Sequence, residues 1–323
     1  MTTKKYAYNG ELAKAVRQLN AGALVAIPTE TVYGLAANAF NDEAVQAIFR
    51  TKNRPANNPL IIHLKNTDEL STVAQNIPDL AWQLAKKFWP GPLTLILEKQ
   101  NHISDFVSAG LPTIAVRVPN HKLTLKLLKK LDYPLVAPSA NRSNHISPTS
   151  PEHVRASLVV KTPFILDGGP CIDGLESTII GFEGDDVVLH RHGALPIEEI
   201  ESFIGKPLVD KTQIKEQTIS PGTSKKHYSP NTAISICSLP KRDFEQHFTR
   251  VGYLVLNKTF EADAPHIIYE LSPKGSLSEA AAKLYAALHE LDQMNLDLIV
   301  VQRFPDVGIG KAMNDRIARA AAE

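Results

Sequence analysis

The sequence predicts an α/β protein in two parts. A larger domain is built on a twisted mixed sheet with a cleft, and a small doubly wound, Rossmann-like domain follows it. Three observations carry this. Over the first two hundred residues, short apolar and β-branched runs alternate with stretches of helical spacing. Some of those runs are separated only by loops, so the sheet is mixed rather than purely parallel. A polar, basic stretch rich in Pro and Gly comes next, and beyond it strands and helices alternate again. A chain of 323 residues suits two domains. We divide it as residues 1–205, a linker over 206–232, and residues 233–323.

In chain order, "ELAKAVRQLNAG" has helical spacing and stops at Gly22. "ALVAIPT" is a continuous apolar run, as a buried strand requires. "NDEAVQAIFRTK" reads as a helix capped by Asn41, with acids in its first turn. "PLIIHL", "LTLILEK", "TIAVRVP", "PLVAPSA", "PFILD" and "STIIGF" are strand candidates, with helices expected at "IPDLAWQLAKKF" and "HKLTLKLLKKL". The stretch from Gly205 to Thr232 has neither period and reads as a linker. After it, "AISICSL", "VGYLVLN", "HIIYEL" and "LDLIVVQRF" read as strands. "SLSEAAAKLYAALHELDQMN" reads as a helix opened by a capping box at Ser276 and Glu279, and "GIGKAMNDRIARAAA" as a closing helix.

Composition excludes several classes. Apolar residues make up 43% and charged residues 21%, the balance of a soluble globular protein. With 35 basic and 34 acidic residues the net charge is +1, so no global electrostatic grip on nucleic acid or membrane is expected, although one local basic pocket remains open. Cys171 and Cys237 are the two cysteines; they have no metal-ligand spacing and imply a reducing compartment. There is no apolar signal core and no membrane-length apolar run, so a cytoplasmic protein is expected. "HRH" at His190 to His192 lacks a third ligand nearby, and no metal site is expected. No Walker motif, GxGxxG after a strand, or nucleophile elbow is present.

The informative residues are polar groups at the ends of apolar strands. "AIPTETVYGLA" breaks at Pro28 into Thr29 and Thr31, with Gly34 allowing close backbone approach; a capped turn into a helix is an equal reading. In "TKNRPANNPLIIHL", Lys52 and Arg54 sit on a proline-stiffened loop with Asn57 and Asn58, and His63 lies on the strand behind. A fork and a point charge together make a phosphate clamp, against the plainer reading of cations at a helix C-terminus. Arg117 interrupts an apolar strand, where a charge needs a cleft or a partner. "PLVAPSANRSNHISPTS" breaks into Ser139, Asn141 and Ser147. "LDGGPCIDGLESTII" offers a Gly-rich loop with Asp167, Asp173 and Glu176 before Ser177, and Arg191 precedes Gly193. Cations and small polar groups at strand ends imply a cleft for an anionic small molecule, a nucleotide bound without a P-loop. Spacing alone does not name the reaction.

Seven of these stretches, "PTETVYGLAANAF", "KNRPANNPLIIHL", "WPGPLTLIL", "TIAVRVP", "APSANRSNHISPT", "DGGPCIDGLESTII" and "RHGAL", resemble in order the YrdC-type domain. The linker "SPGTSKKHYSP" and the closing "GIGKAMNDRIARAA" are similar to the two-domain form of that family, the L-threonylcarbamoyladenylate synthases. The resemblance covers nearly the whole chain. It implies a nucleotidyltransfer in which L-threonine, bicarbonate or CO2, and ATP give threonylcarbamoyl-AMP and pyrophosphate, with Mg2+ carried on the phosphates. The product would serve a separate tRNA threonylcarbamoyl transferase that modifies the adenosine beside the anticodon.

The resemblance also implies roles. Lys52 and Arg54 would be the catalytic basic pair. Arg54, Asn58, Thr113, Ser139, Asn141, Ser147, Arg191 and Tyr228 would contact ATP, and Thr31, His63, Arg117, Ala137 and Ser177 would surround threonine. The Arg117 fork suits the amino acid's carboxylate. In such linkers the segment Ser220 to Pro230 folds over the cleft mouth and brings Tyr228 to the nucleotide, while Lys225 and Lys226 are expected to be solvated. The second domain would position that linker. The competing reading is an RNA-binding module with a basic cleft, or an enzyme with a weak RNA contact; the second domain and the near-zero net charge count against the module. A carbamoyl-transferring maturation factor would need acylphosphatase and zinc-finger modules, which this chain lacks.

Overall fold

The computed structural model describes residues 2–159, 163–212, 227–237 and 242–322. Of the linker, residues 213–226 lie outside that range, and with them most of the expected cover, including Lys225 and Lys226.

Fourteen strands form among the described residues. They are β1 Val25–Ile27, β2 Gly34–Asn38, β3 Ile61–His63, β4 Leu93–Glu98, β5 Thr113–Arg117, β6 Leu135–Val136, β7 Phe164–Ile165, β8 Thr178–Glu183, β9 Asp186–Arg191, β10 Val209–Asp210, β11 Ile234–Cys237, β12 Val251–Val255, β13 Ile267–Glu270 and β14 Leu298–Gln302. The first ten make one mixed sheet in the order β10-β9-β8-β4-β5-β3-β6-β2-β1-β7. The last four make a second sheet, β11-β14-β12-β13, whose pairs are all parallel. The mixed sheet and the small domain with a parallel sheet are as the apolar runs predict.

Two elements depart from the sequence reading. β2, "GLAAN", is a strand where the sequence equally allowed a turn into a helix; it pairs antiparallel with β1 through Val25–Ala36. Its small side chains carry no β signal, but they let neighbours approach: a Cβ on Gly34 would lie 3.0 Å from that of Ala137. The second is β10. It falls within the stretch read as linker, yet it pairs parallel with β9 and extends the first sheet by one edge strand.

Among the described residues ten α-helices accompany the sheets: α1 Thr2–Asn20, α2 Asp42–Lys52, α3 Leu70–Val73, α4 Asp79–Phe88, α5 Asp105–Ser108, α6 Lys122–Leu128, α7 Pro151–Ser157, α8 Ile197–Ile204, α9 Leu277–Asp292 and α10 Ile309–Ala320. Asn41 caps α2 as expected, accepting from the Ala44 N–H, and Asn53 ends that helix in the left-handed region. At α9 the box is wired through a third residue. Ser276 accepts from the Glu279 N–H, but the Glu279 carboxylate takes the Ser272 hydroxyl proton at 2.6 Å, and Ser272 in turn accepts from the Ser276 N–H at 3.0 Å.

One face of the large sheet packs on α2, α4 and α8 through residues such as Ile48, Leu84, Leu95 and Ile200, and the other on α1 and α6 through Leu19, Ile27 and Leu127. β12 and β14 are buried on both faces: α9 and α10 cover one, and the segments around Phe244 and Phe260 cover the other. The core of the second domain also takes in Val32, Ile146, Leu175 and Tyr228, so α9 packs directly on the first domain. Gly174 marks the closest approach: it has φ +71°, and a Cβ there would sit 2.5 Å from the Ala282 carbonyl oxygen of α9. No described helix is long and apolar enough to cross a membrane.

Candidate active site

The strand ends converge. β3 and β5 are parallel and in register at His63–Arg117, so both side chains leave the sheet at the same edge. β6 runs antiparallel to β3, with Leu135 opposite His63 and Val136 opposite Ile62, so it leaves past Ile61 into Ala137, Pro138 and Ser139. β1, which runs the same way as β6, delivers the turn Thr29-Glu30-Thr31 beside that exit. Thr29 Oγ1 organises the turn, accepting from the Thr31 and Val32 N–H groups and lying 2.8 Å from Thr31 Oγ1. β8 begins just after Ser177 and β9 ends at Arg191. The α2 C-terminus supplies Lys52 and, past the left-handed Asn53, Arg54.

Sixteen residues from these segments line one cavity of about 50 Å3: Thr31, Arg54, His63, Arg117, Ala137, Ser139, Ser177, Arg191 and Tyr228 are among them, together with Glu176 and His227. Arg117 is buried and uses three partners. Its Nε–H donates to His63 Nε2 at 3.1 Å, Nη2 donates to Thr31 Oγ1 at 3.1 Å, and Nη2 faces the buried Glu30 carboxylate at 3.7 Å. Burial, reinforced by Arg117, holds the His63 imidazole well below its ordinary value, so it is neutral. Its other nitrogen, Nδ1, donates to the Ile61 carbonyl at 3.1 Å, which leaves Nε2 as the acceptor.

The remaining cations are held on carbonyl groups. Lys52 Nζ donates to the Ser139 and Asn141 carbonyls. Arg54 donates to the Asn58 amide oxygen and to the carbonyls of Asn58 (3.2 Å) and Pro59 (3.0 Å). Arg191 donates to the Ser177 carbonyl at 2.8 Å and its hydroxyl at 3.2 Å. Burial pulls the Arg54 guanidinium down, to about 9, so it remains a cation at neutral pH. A second, larger cavity of about 710 Å3 is lined by residues that include Thr51, Asn53, Arg142 and His145 and shares no lining residue with the first.

Glu176 is the hub between the domains. Its Oε1 accepts from Ser147 Oγ at 2.6 Å, and Oε2 accepts from Tyr285 Oη of α9 at 2.9 Å and from Arg316 Nε of α10 at 2.8 Å. Burial would raise this carboxyl, but Arg316, Arg191 and the Ser147 hydrogen bond overcome it and hold it at about 2. Above the hub, Tyr228 stacks on Tyr285 with ring centroids 5.7 Å apart and sits over the Arg316 guanidinium at 5.0 Å. Tyr228 is 1% exposed, its backbone is left-handed at φ 62°, and its hydroxyl has no hydrogen-bond partner among the described residues.

Of the residues singled out from sequence, Thr31, Arg54, His63, Arg117, Ala137, Ser139, Ser177, Arg191 and Tyr228 therefore line the cavity together. Lys52, Asn58 and Ser147 each hydrogen-bond a lining residue, and Asn141 stands one bond further back, through Lys52. Thr113 is not brought there. It opens β5 opposite Glu98, about 13 Å along the strand from Arg117 at ~3.3 Å per residue, and is not among the lining residues. Sequence reasoning noted Glu176 only as part of a Gly-rich loop and missed its partners Tyr285 and Arg316. The signal for Arg316 was a charge inside an otherwise apolar helical face, "KAMNDRIARA".

Comparison with known proteins bears on both halves. Residues 17–193 match the family described as "Telomere recombination", and residues 195–322 match "Threonylcarbamoyl-AMP synthase, C-terminal domain". The threonylcarbamoyl-AMP synthase of Bacillus subtilis is 40% identical, covering 96% of this chain and 93% of its own. That of Pyrococcus abyssi is 38% identical, covering 93% and 91%. The crystal structure of P. abyssi Sua5 complexed with L-threonine superposes with a TM-score of 0.89 at 37% identity over 96% of this chain and 94% of that one. With both domains matched in order over nearly its full length, the chain belongs to the two-domain Sua5 family of threonylcarbamoyl-AMP synthases, enzymes of the nucleotidyltransferase type.

Proposed function

We propose that this chain joins L-threonine, bicarbonate or CO2, and ATP into threonylcarbamoyl-AMP with release of pyrophosphate. The observation that carries the reading is the shared cavity: a buried arginine fork with hydroxyls around it lies beside a cluster of buried cations. Arg117 takes the threonine carboxylate, with Thr31, His63, Ser177 and the Ala137 backbone around the rest of the amino acid. Arg54, Lys52 and Arg191 take the phosphates, with Asn58, Ser139, Asn141 and Ser147 setting their positions. Tyr228 closes the nucleotide side.

Chemistry then follows from alignment. The threonine amine captures CO2, and one carbamate oxygen attacks the α-phosphorus in line as pyrophosphate leaves. No covalent enzyme intermediate is required. Positioning of the reactants and cations fixed where charge develops supply the rate. A neutral His63 accepts the Arg117 N–H and so keeps the fork oriented without adding repulsion. Mg2+ is carried on the phosphates of the nucleotide. Because about 50 Å3 is far below the ~300 Å3 or more of a small-molecule site, nucleotide entry displaces wall residues. The adenylate is consumed in the cytoplasm by a separate tRNA threonylcarbamoyl transferase, and any RNA contact of this chain is weak.

The test is pyrophosphate release by the full chain with each substrate omitted in turn. Release should require both threonine and bicarbonate. Release that persists undiminished without threonine would refute the assignment.

A further inference from the structure

We propose that Arg316, supplied by the C-terminal domain, is a positioning residue of the nucleotide site: it neutralises Glu176 at the cavity wall and carries the Tyr228 ring, so that the second domain completes the cleft. This rests on the reading that ATP occupies the cavity.

The geometry uses every surface of one guanidinium. Arg316 is 1% exposed. Its Nε–H binds Glu176 at 2.8 Å, Nη2 binds the His192 carbonyl at 2.9 Å, and Nη1 binds Asp315 at 2.5 Å. Its flat face receives the Tyr228 ring at 5.0 Å. A lysine offers one point charge and no plane, so it cannot do all four. Arg316 thereby joins α10 to the loop before β8, to the end of β9 and to the residue that closes the cavity.

Charge supplies the reason. Glu176 lines a cavity read as receiving a polyanion, where an uncompensated carboxylate would repel the ligand. The groups around it are Ser147, Arg191 and His192 from the first domain, His227 and Tyr228 from the linker end, Tyr285 from α9, and Asp315 and Arg316 from α10. Among the described residues Arg316 is the cation in hydrogen-bond contact with Glu176, while Arg191 donates to Ser177 and acts on Glu176 through its charge. Glu176 in turn fixes the Ser147 hydroxyl, one of the expected nucleotide contacts.

The experiment titrates a non-hydrolysable ATP analogue into the full chain at about pH 6 and about pH 8.5, values that bracket a carboxyl released from its counter-ion inside a buried site. Arg316→Met should weaken binding roughly tenfold at the higher pH and less at the lower, where Glu176 takes up a proton and ceases to repel. Adding Glu176→Gln should restore affinity to within roughly threefold at both. Arg316→Lys keeps the charge and should show no such pH dependence. Hydrogen exchange over residues 227–230 should quicken in Arg316→Lys as well as Arg316→Met, because neither has a plane beneath the ring. Equal weakening at both pH values without rescue by Glu176→Gln, or unchanged affinity in Arg316→Met, overturns the charge role. Unchanged exchange in Arg316→Lys overturns the support of Tyr228. If Arg316→Met does not fold, the double variant and Arg316→Lys carry both arms: a folded double variant that binds as weakly as one lacking the clamp overturns the charge role. Pyrophosphate release by the unaltered chain is read separately, so a wrong substrate assignment fails there rather than here.

Discussion

Replacing Arg117 by Lys separates the proposed threonine pocket from the proposed phosphate clamp. The cation survives, so Glu30, buried 3.7 Å away with no hydrogen-bond partner among the described residues, keeps its counter-charge and the fold should hold. What is lost is the fork. Arg117 now divides its donors between His63 and Thr31 and can still present an edge to a carboxylate; an ammonium at the end of a shorter reach cannot. One charge-assisted hydrogen bond to the ligand is removed, worth about 1.5–3 kcal/mol. The KM for threonine should therefore rise about 10- to 100-fold. ATP affinity should stay within about twofold, since Arg54 and Arg191 make none of the Arg117 contacts. The assay is pyrophosphate release against threonine concentration at saturating ATP and bicarbonate, with analogue titration for the nucleotide. A threonine KM within about twofold of the unaltered chain, or an equal loss of ATP affinity, would refute the assignment of Arg117.

Four further outcomes are expected. Arg54→Ala should weaken ATP binding by roughly tenfold or more with unchanged circular dichroism, and affinity retained within about twofold would remove Arg54 from the clamp. Tyr228→Phe keeps the stack on Tyr285 and Arg316, and since the hydroxyl has no described partner its stability should match that of the unaltered chain within about 0.5 kcal/mol. Any loss of ATP affinity, expected at about two- to tenfold, then reports a hydroxyl contact to the nucleotide, and no loss excludes one. Acid should destabilise the fold in two stages, followed by urea midpoints. His227 sits at about 3 against an ordinary 6.5, and Glu176 at about 2 against 4.5. Both values are depressed, so both contributions are present above the ordinary values and are lost as pH falls toward the folded ones; a midpoint constant from neutrality down to about pH 3 would contradict both directions. Gly174→Ala should cost on the order of 2 kcal/mol, because its Cβ would meet backbone of α9 at 2.5 Å, and normal thermal stability would mean the domains are not packed as described.

Sequence patterning located the first-domain half of the site because polar residues interrupt apolar strands there. Arg117 within "TIAVRVP", the break after Ile27 and the loop after Val136 are all visible without a fold. Register then aligned them, with His63 beside Arg117, which no local pattern specifies. Three things were not legible. β2 is built of small residues and carries no strand signal, so only its burial between β1 and β6 reveals it. β10 is two residues long and pairs with a strand already complete, so its stretch read as linker. The Glu176–Arg316 pair joins residues 140 apart in sequence, and neither flank announces the other. Thr113, expected from the resemblance alone, is not among the residues that line the cavity and lies four residues along β5 from Arg117.

The carbonyl cage around Lys52 has a consequence for proton traffic. Burial, with Arg54 nearby, lowers that ammonium well below its ordinary value, so the empty enzyme holds its proton loosely. On the proposed reading, a polyphosphate docking beside it reverses that balance and tightens the hold, so nucleotide binding is linked to proton uptake.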